Sequence, residues 1–218
     1  WDGDKDHEIL ISLSSPERKI LIFDYNINQL VPVDEIGESF LGSTYGLIDL
    51  YIQDVNLDEE QDIIIYNNNQ QPSRHIIFSN TEEANQSLPT KNNIIKTIPL
   101  FFNNKINDVG LTVKGQLYSF EENKEIVSDL QNIKEILSFT NDTMIVLTKE
   151  ELVQINIPEF LISGRINVDI KTDEIVCVAN QNNQSVLCSN QREEAIFLYQ
   201  FTDTPTNIQL IKETAPTA

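Results

Sequence analysis

Short apolar runs separated by polar turns recur along the whole chain, and this feature restricts its fold most. The runs are rich in Ile, Val and Phe and are bounded by Asn, Asp, Ser or Pro, a composition that is typical of β-strands. They lie at 9–13, 20–23, 63–66, 76–78, 109–113, 117–120, 144–147, 152–155, 175–179, 186–188 and 196–201. The pattern predicts an all-β protein.

One segment, 122–138, has a spacing that also suits a helix. Ile126, Leu130, Ile133 and Leu137 recur at steps of three and four residues, as on one face of a helix. The same residues could form two short strands on either side of the sequence DLQN at 129–132. We predict strand structure for this segment.

The apolar runs belong to a repeated unit. The sequence DHEILISLSSPERKILIF at 6–23 aligns with EQDIIIYNNNQQPSRHIIF at 60–78, and shorter copies follow at 107–120, 141–155 and 172–188. Each copy reads as strand, polar turn and strand. Repeated hairpins of this kind are typical of a β-propeller, in which each unit buries its faces against its neighbours. We therefore predict a β-propeller-type array of antiparallel hairpin or blade repeats.

The spacing of the repeats predicts that the array is incomplete or degenerate. The interval between the acidic residues that open successive copies shortens along the chain. We therefore expect the later units to be degenerate or to have lost their outer strands.

The charge balance excludes some classes of partner. Asp and Glu together number 34 against 15 Lys and Arg, which gives a formal net charge of −19. Such a charge repels phosphate backbones, so we expect no nucleic-acid partner. No apolar run approaches the roughly 20 residues that span a bilayer, so we expect no direct membrane insertion in this segment.

An acidic loop precedes the strand of the second repeat and has the residue types of a cation site. In DVNLDEEQDIII at 54–65, oxygen-bearing side chains stand at the first, third, fifth and ninth positions: Asp54, Asn56, Asp58 and Asp62. The first repeat has equivalent residues in Asp2, Asp4 and Glu8. Calcium takes six to eight oxygen ligands, and alternate residues of a tight loop can supply them.

These loops resemble those of the FG-GAP or VCBS repeats found in integrin-like propellers. Phe40 and Gly42 stand near the place of that family's Phe-Gly pair, and the likeness covers residues 1–23 and 38–78. The resemblance implies a propeller with structural Ca²⁺ in the connection before a blade strand. It also implies FG-GAP-like repeats over 1–100 and degenerate hairpin repeats of the same domain over 101–218.

One position of each loop argues against calcium. Loops of this type normally need Gly at the sixth position because the backbone turns sharply there, whereas this chain has Lys5 and Glu59. The alternative interpretation is an acidic, solvated turn that keeps the inherited shape without a metal. We expect the loop that begins at Asp54 to bind calcium more tightly than the one that contains Lys5.

We predict that the two cysteines face each other across a hairpin and form a disulfide. If the chain turns within 181–184, Cys177 lies opposite Cys188 at a spacing that suits a disulfide. The alternative is two small buried apolar residues in a reduced protein.

Glycosylation sequons at Asn85, Asn141 and Asn183 agree with a secretory or extracellular location, which we favour over an intracellular one.

The sequence contains no motif of a known catalytic site. The GxSxG elbow, the P-loop and the GxGxxG fingerprint are absent, and no acid–base pair can be named. We therefore predict a non-enzymatic scaffold domain that binds protein subunits or receptors, with calcium as a structural ion. Two alternatives stay open. One is an intracellular, metal-free propeller subunit of a trafficking or ciliary complex, and the other is a carbohydrate-binding or polysaccharide-lyase-like propeller.

Overall fold

The structure is a computed structural model that describes residues 8–13, 19–26, 29–36, 47–68, 72–78, 82–89, 93–168, 175–179, 185–190, 195–201 and 211–214. Three of the predicted site residues, Asp2, Asp4 and Asn183, lie outside these ranges. Glu8 begins the first strand, but the structure describes only its backbone.

The described residues form nineteen strands and no helix. The strands are β1 Glu8–Leu13, β2 Lys19–Asn26, β3 Gln29–Ile36, β4 Leu47–Gln53, β5 Asp62–Asn68, β6 Ser73–Ile77, β7 Glu83–Ser87, β8 Ile94–Phe102, β9 Lys105–Thr112, β10 Leu117–Ser119, β11 Lys124–Ile126, β12 Glu135–Phe139, β13 Thr143–Leu147, β14 Glu151–Asn156, β15 Leu161–Asn167, β16 Ile175–Ala179, β17 Ser185–Asn190, β18 Ala195–Gln200 and β19 Ile211–Thr214. The all-β prediction is confirmed. Within the described ranges, nothing forms a helix that is long and apolar enough to cross a membrane.

The strands form small antiparallel sheets in which neighbours in sequence are neighbours in space. A three-stranded sheet contains β1–β3, and four-stranded sheets contain β4–β7, β8–β11, β12–β15 and β16–β19. The predicted hairpins are confirmed in all five sheets, for example where β5 pairs with β6 and β13 with β14. Chain-order pairing allows each sheet to form from consecutive residues.

The chain divides into two compact units, and in the first unit the core lies between sheet faces. This unit contains Trp1–Gly110 with Phe120–Asn123. All seven residues of β5 are buried, which a strand achieves only when both of its faces are covered. One face packs Ile63 and Ile65 against Ile20 and Ile22 of β2. Burial of one such side chain stabilises the fold by about 1.5–3 kcal/mol.

The second unit contains Leu111–Ser119 with Lys124–Ala218 and has a core of the same kind. Ile145 and Leu147 of β13 pack in one cluster with Val186 and Cys188 of β17, so sheets β12–β15 and β16–β19 bury facing sides. The alternate residues of the β16–β17 hairpin, Val176, Val178 and Leu187, are exposed. This is the period of two expected of a strand with one face on the core.

The ambiguous segment 122–138 is two short strands joined by an irregular turn, as predicted. β11 ends at Ile126 and β12 begins at Glu135. Val127 and Asn132 take positive φ values of 55° and 59°, which a right-handed helix does not allow. The apparent helical spacing arises because Leu130 and Ile133 of the turn are also buried.

The expectation that the later units had lost their outer strands is wrong. The last two sheets, β12–β15 and β16–β19, each have four strands. The last interval is short because the copy at 172–188 corresponds to the first two strands of its sheet, whereas the other four-stranded sheets contribute their central pair. The proposed division at residue 100 rests on the family resemblance and stays a prediction.

Candidate functional site

A half-open cavity of about 550 Å³ lies in the first unit, between sheet β4–β7 and strands β8 and β9. Most of its wall is apolar, and its polar side chains come from the loop before β5, from strands β6, β7 and β9, and from the segment that follows β10. The wall includes Ile76, Phe78, Leu88, Phe101, Ile106 and Phe120. Cavities of this size that combine apolar walls with a few polar groups are typical of binding sites.

Strand register places three polar side chains in one row across sheet β4–β7. Tyr66 of β5 lies directly opposite Arg74 of β6, and Arg74 lies opposite Gln86 of β7. Directly opposed residues of an antiparallel pair point to the same face of the sheet. The row therefore runs from the buried middle of the sheet at Tyr66 towards exposed β7.

Asp108 of β9 binds the first two residues of this row. The Tyr66 hydroxyl donates a hydrogen bond of 2.5 Å to Asp108 Oδ1. Arg74 Nη1 donates to both oxygens of the same carboxylate, at 2.8 and 2.7 Å. The side chains of Arg74 and Asp108 are only 12% and 6% exposed. The ion pair is thus largely removed from water, which makes it costly to break.

Burial sets the protonation of this cluster. It raises the pKa of Asp108, although the Arg74 charge and the Tyr66 hydrogen bond act in the opposite direction. Burial, followed by the negative charge of Asp108, raises the pKa of Tyr66 well above its usual value. Tyr66 therefore keeps its proton and serves as a donor. Its ring is also held by an edge-on contact with Tyr51, with ring centroids 6.0 Å apart.

Arg74 has donor capacity beyond this ion pair. Its Nη2 donates to Gln86 Oε1 at 2.5 Å. Its Nε is buried and has no hydrogen-bond acceptor among the described residues. A guanidinium has five N–H donors, and a buried donor without an acceptor costs about 1–3 kcal/mol. The second cation of the cavity wall, Lys105, pairs with Glu121.

A second buried cluster joins the same two sheets and fixes the cavity walls. Asp49 Oδ2 accepts hydrogen bonds from Asn68 Nδ2 at 2.5 Å and from the Thr97 backbone amide at 2.8 Å. Thr97 Oγ1 in turn donates to Asn68 Oδ1 at 2.5 Å. Burial raises the pKa of Asp49, opposed by these hydrogen bonds and by Lys96. Each polar group in the cluster has a partner, which keeps β8 in place on β4 and β5.

The predicted calcium loop connects β4 to β5, and two of its residues, Val55 and Asn56, line the cavity. The carboxylate of Asp54 accepts hydrogen bonds from the amides of Leu57, Asp58 and Glu59 at 2.7, 3.3 and 3.0 Å. Two further bonds close the loop. Asn56 Nδ2 donates to Asp58 Oδ2 at 2.8 Å, and the Val55 amide donates to Asp62 Oδ2 at 2.9 Å.

The loop has the right donor chemistry for calcium but not a converged donor set. All four predicted ligands are oxygen donors. Glu59, at the sixth position where such loops normally have Gly, has a positive φ of 72°. Among the described residues, however, no group of three or more His, Cys, Asp or Glu side chains is placed to hold a metal ion. Calcium binding at this loop stays a prediction.

Comparisons with known proteins bear on the fold. No family model matches the sequence, and no curated protein is significantly similar to it. A protein of unknown function from Desulfotomaculum acetoxidans has a similar structure, with a TM-score of 0.57 at 9% identity, over 94% of this chain and 64% of that one. KlAtg21, solved in complex with the coiled-coil of AgAtg16, has a TM-score of 0.57 at 10% identity, over 96% of this chain and 68% of that one. Kluyveromyces lactis Hsv2 has a TM-score of 0.55 at 9% identity, over 96% of this chain and 71% of that one.

The fold is a β-propeller. The small antiparallel sheets described above are its blades, so the predicted fold class is confirmed. At about 10% identity these likenesses show the fold alone. The chain spans 64% of the length of the Desulfotomaculum protein and somewhat more of the other two. The narrower FG-GAP resemblance is not supported by a family match.

The remaining predicted sites lie on other parts of the propeller. Cys177 and Cys188 face each other in the β16–β17 pair and are joined by a disulfide, with Cα atoms 4.1 Å apart. Asn85 is exposed on β7, and Asn141 is exposed between β12 and β13. Modification of these two asparagines stays a prediction.

Sequence reasoning missed the cavity and the polar cluster beside it. Asp108 was one of the acidic residues used to align the repeats, so a signal was present. Its partners Tyr66 and Arg74 are 42 and 34 residues away, and only the packing of two blades brings them to it. Neither residue stands in a recognisable motif.

Proposed function

We propose that this propeller is a non-enzymatic protein-binding or scaffold domain, and that its cavity in the first unit receives a segment of a partner protein. The supporting observation is that the cavity is mainly apolar while its charged groups are already paired. Arg74 is paired with Asp108, and Lys105 with Glu121. Such a wall favours an apolar side chain and its backbone, because inserting a charged group would disturb neutral pairs.

The comparison with KlAtg21 agrees with this proposal at the level of the fold. That protein was solved in complex with the coiled-coil of AgAtg16. A shared fold does not carry a shared partner, so the comparison shows only that a related architecture binds protein. The binding surface proposed for this chain rests on its own cavity.

Selection from a displayed random peptide library tests the proposal. We expect enriched peptides to contain an apolar anchor residue and to lose binding to Phe101→Ser. The matched control is Phe102→Ser, which changes the next residue of β8 on the opposite face of the strand and does not line the cavity. Peptides that bind both variants equally, or a library that yields no binder, would contradict the proposal.

We further propose Ca²⁺ as a structural ion of the loop at 54–62, as the FG-GAP resemblance implies. The oxygen-only donor set and the positive φ of Glu59 support this proposal. Ion binding would require the hydrogen bond between Asn56 and Asp58 to open. The ion would order the loop at the edge of the cavity.

A thermal melt in calcium and in chelator tests this second proposal. An ion at 100 times its Kd stabilises the folded state by about 2.7 kcal/mol, which amounts to a few degrees in Tm. We expect Asp58→Ala to abolish the shift, Asp4→Ala to leave most of it, and Glu59→Gly to preserve it. Equal melting temperatures of the wild type in both buffers would identify the loop as a metal-free turn.

We propose a secretory or extracellular location, which the Cys177–Cys188 disulfide supports because such bonds persist in oxidising compartments. Alkylation of the natively produced protein without reductant tests this location. We expect no labelled thiol at either cysteine. Two labelled thiols would favour the intracellular alternative.

A further inference from the structure

The sheet that contains β1–β3 has apolar residues on both of its faces, and only one face is covered. Leu10 and Ile22 pack in one cluster with Ile63 of β5. The residues that alternate with them along β1 and β2 point to the opposite face. This β1–β2 face consists of Ile9, Ile11, Leu13, Leu21 and Phe23, of which Ile9 and Ile11 are 40% and 39% exposed.

Sheet β16–β19 of the second unit has the same construction. Cys177 and Cys188 lie in the core cluster, and the residues that alternate with them point away from it. Strand register places Val178 opposite Leu187, and Leu187 opposite Leu198. The β16–β18 face consists of Val176, Val178, Leu187 and Leu198, of which the first three are 58%, 65% and 49% exposed.

Neither face carries an uncompensated charge among its described side chains. On the β1–β2 face, Lys19 and Glu35 pair with each other at 3.6 Å. The described side chains of β16–β18 include no charged residue. Contiguous exposed apolar surface of this kind marks interaction sites, and the cores of protein interfaces are likewise depleted in charge.

The propeller itself indicates what kind of surface covers such a face. The covered face of sheet β1–β3 packs on sheet β4–β7, and that of sheet β16–β19 packs on sheet β12–β15. In both places an apolar sheet face meets another apolar sheet face. Each copy of the chain therefore has two open faces, and each face has the chemistry that covers the other.

We infer that this chain associates with itself, and that the β16–β18 face of one copy packs on the β1–β2 face of another. Two different surfaces meet, so the contact is heterologous. The net charge of −19 opposes association, and salt screens this repulsion, so association strengthens with salt. The inference goes beyond the proposed function and uses surfaces outside the cavity, so peptide selection at the cavity does not decide it.

Size-exclusion chromatography with light scattering tests the association. We expect the mass of the wild type to exceed that of one chain and to rise with protein and salt concentration. Ile11→Asp and Val178→Asp each place a charge in the contact and should weaken association at least about tenfold. Val113→Asp is the matched control, because Val113 is 56% exposed but belongs to neither face.

A wild type that keeps the mass of one chain at high protein and salt concentration would overturn the inference. Equal losses for Val113→Asp and the two face variants would also overturn it. If a face variant fails to fold, as judged by its thermal melt, Ile9→Asp or Leu187→Asp replaces it on the same face.

A mixture of the two face variants tests whether the contact joins two different faces. Ile11→Asp keeps its β16–β18 face and Val178→Asp keeps its β1–β2 face, so the mixture retains one intact pair. We expect 1:1 dimers of the two variants in a native mass spectrum, with one variant 15N-labelled to distinguish them. Absence of mixed dimers, or equally strong association of either variant alone, would overturn the inference.

Discussion

Asp108 is a single carboxylate that links two neighbouring blades. It lies on β9 and accepts hydrogen bonds from Tyr66 and Arg74 of the adjacent sheet. Because the pair is buried, removing one partner leaves the other charge without compensation, and this penalty exceeds the value of the contact itself. The cluster therefore holds the cavity walls and also fixes the direction of the Arg74 guanidinium.

We predict that Asp108→Ala lowers the free energy of unfolding by about 3–5 kcal/mol, because it leaves Arg74 buried and unpaired. Tyr66→Phe should cost only about 1 kcal/mol, since it removes one hydrogen bond and keeps the ion pair. Urea unfolding of the two variants measures the difference. Equal costs would mean that the ion pair does not dominate the cluster.

His75, beside Arg74 on β6, predicts a pH dependence of stability. Burial lowers its pKa below the usual 6.5, with Glu83 acting in the opposite direction. The unfolded chain therefore takes up a proton at a higher pH than the folded protein does. The resulting stabilisation is fully present above pH 6.5 and is lost as the pH falls through 6.5 to the lower native pKa.

The free energy of unfolding of the wild type should fall when the pH is lowered from about 7.5 to about 5.5, the range in which histidine changes charge. We expect this fall to be smaller in His75→Gln. The control is His7→Gln, because His7 is the other of the two histidines in the chain. If His7→Gln removes the pH dependence and His75→Gln does not, the assignment to His75 is wrong. The measurement is urea unfolding at both pH values.

At the scale of single elements, the sequence predicted strands that carry their own apolar pattern. The run at 63–66 became the fully buried β5, and the pair around Cys177 and Cys188 has the predicted register. β7 could not be predicted in this way. Its sequence EANQS has one apolar residue and is exposed throughout, so it is a strand only because β6 supplies its hydrogen-bonding partner.

Gly115 gives a prediction for one hairpin, the connection from β9 to β10. It has a positive φ of 70°, and an added Cβ would lie 2.5 and 2.7 Å from the backbone N and O of Ile133. We expect Gly115→Ala to lower the free energy of unfolding by about 1–3 kcal/mol, because backbone atoms cannot easily move aside.

Gly110→Ala on β9 is the matched control for this hairpin. Its added Cβ would meet only side chains, Ile94 at 2.8 Å and Phe120 at 3.0 Å, which can shift. Thermal melts compare the two variants. A larger loss for Gly110→Ala would contradict the expected difference between backbone and side-chain clashes.

At the scale of the whole molecule, the repeat pattern predicted a propeller, but not the cavity. The acidic loop could be recognised because its residues are consecutive and bond to one another, as Asp54 does with the amides of Leu57 and Glu59. The cavity depends on side chains from separate strands whose proximity is set by register and by blade packing. No local pattern encodes that proximity, so Arg74 appeared in the sequence as an ordinary basic residue before a strand.

Hydrogen–deuterium exchange with a selected peptide tests the central claim most directly, that the cavity in the first unit is the protein-binding site. We predict slower exchange on peptide binding in 73–78 and 101–108, which form two sides of the cavity, and unchanged exchange in β13 and β14 of the second unit. Protection confined to the second unit, with 73–78 and 101–108 unaffected, would contradict the account.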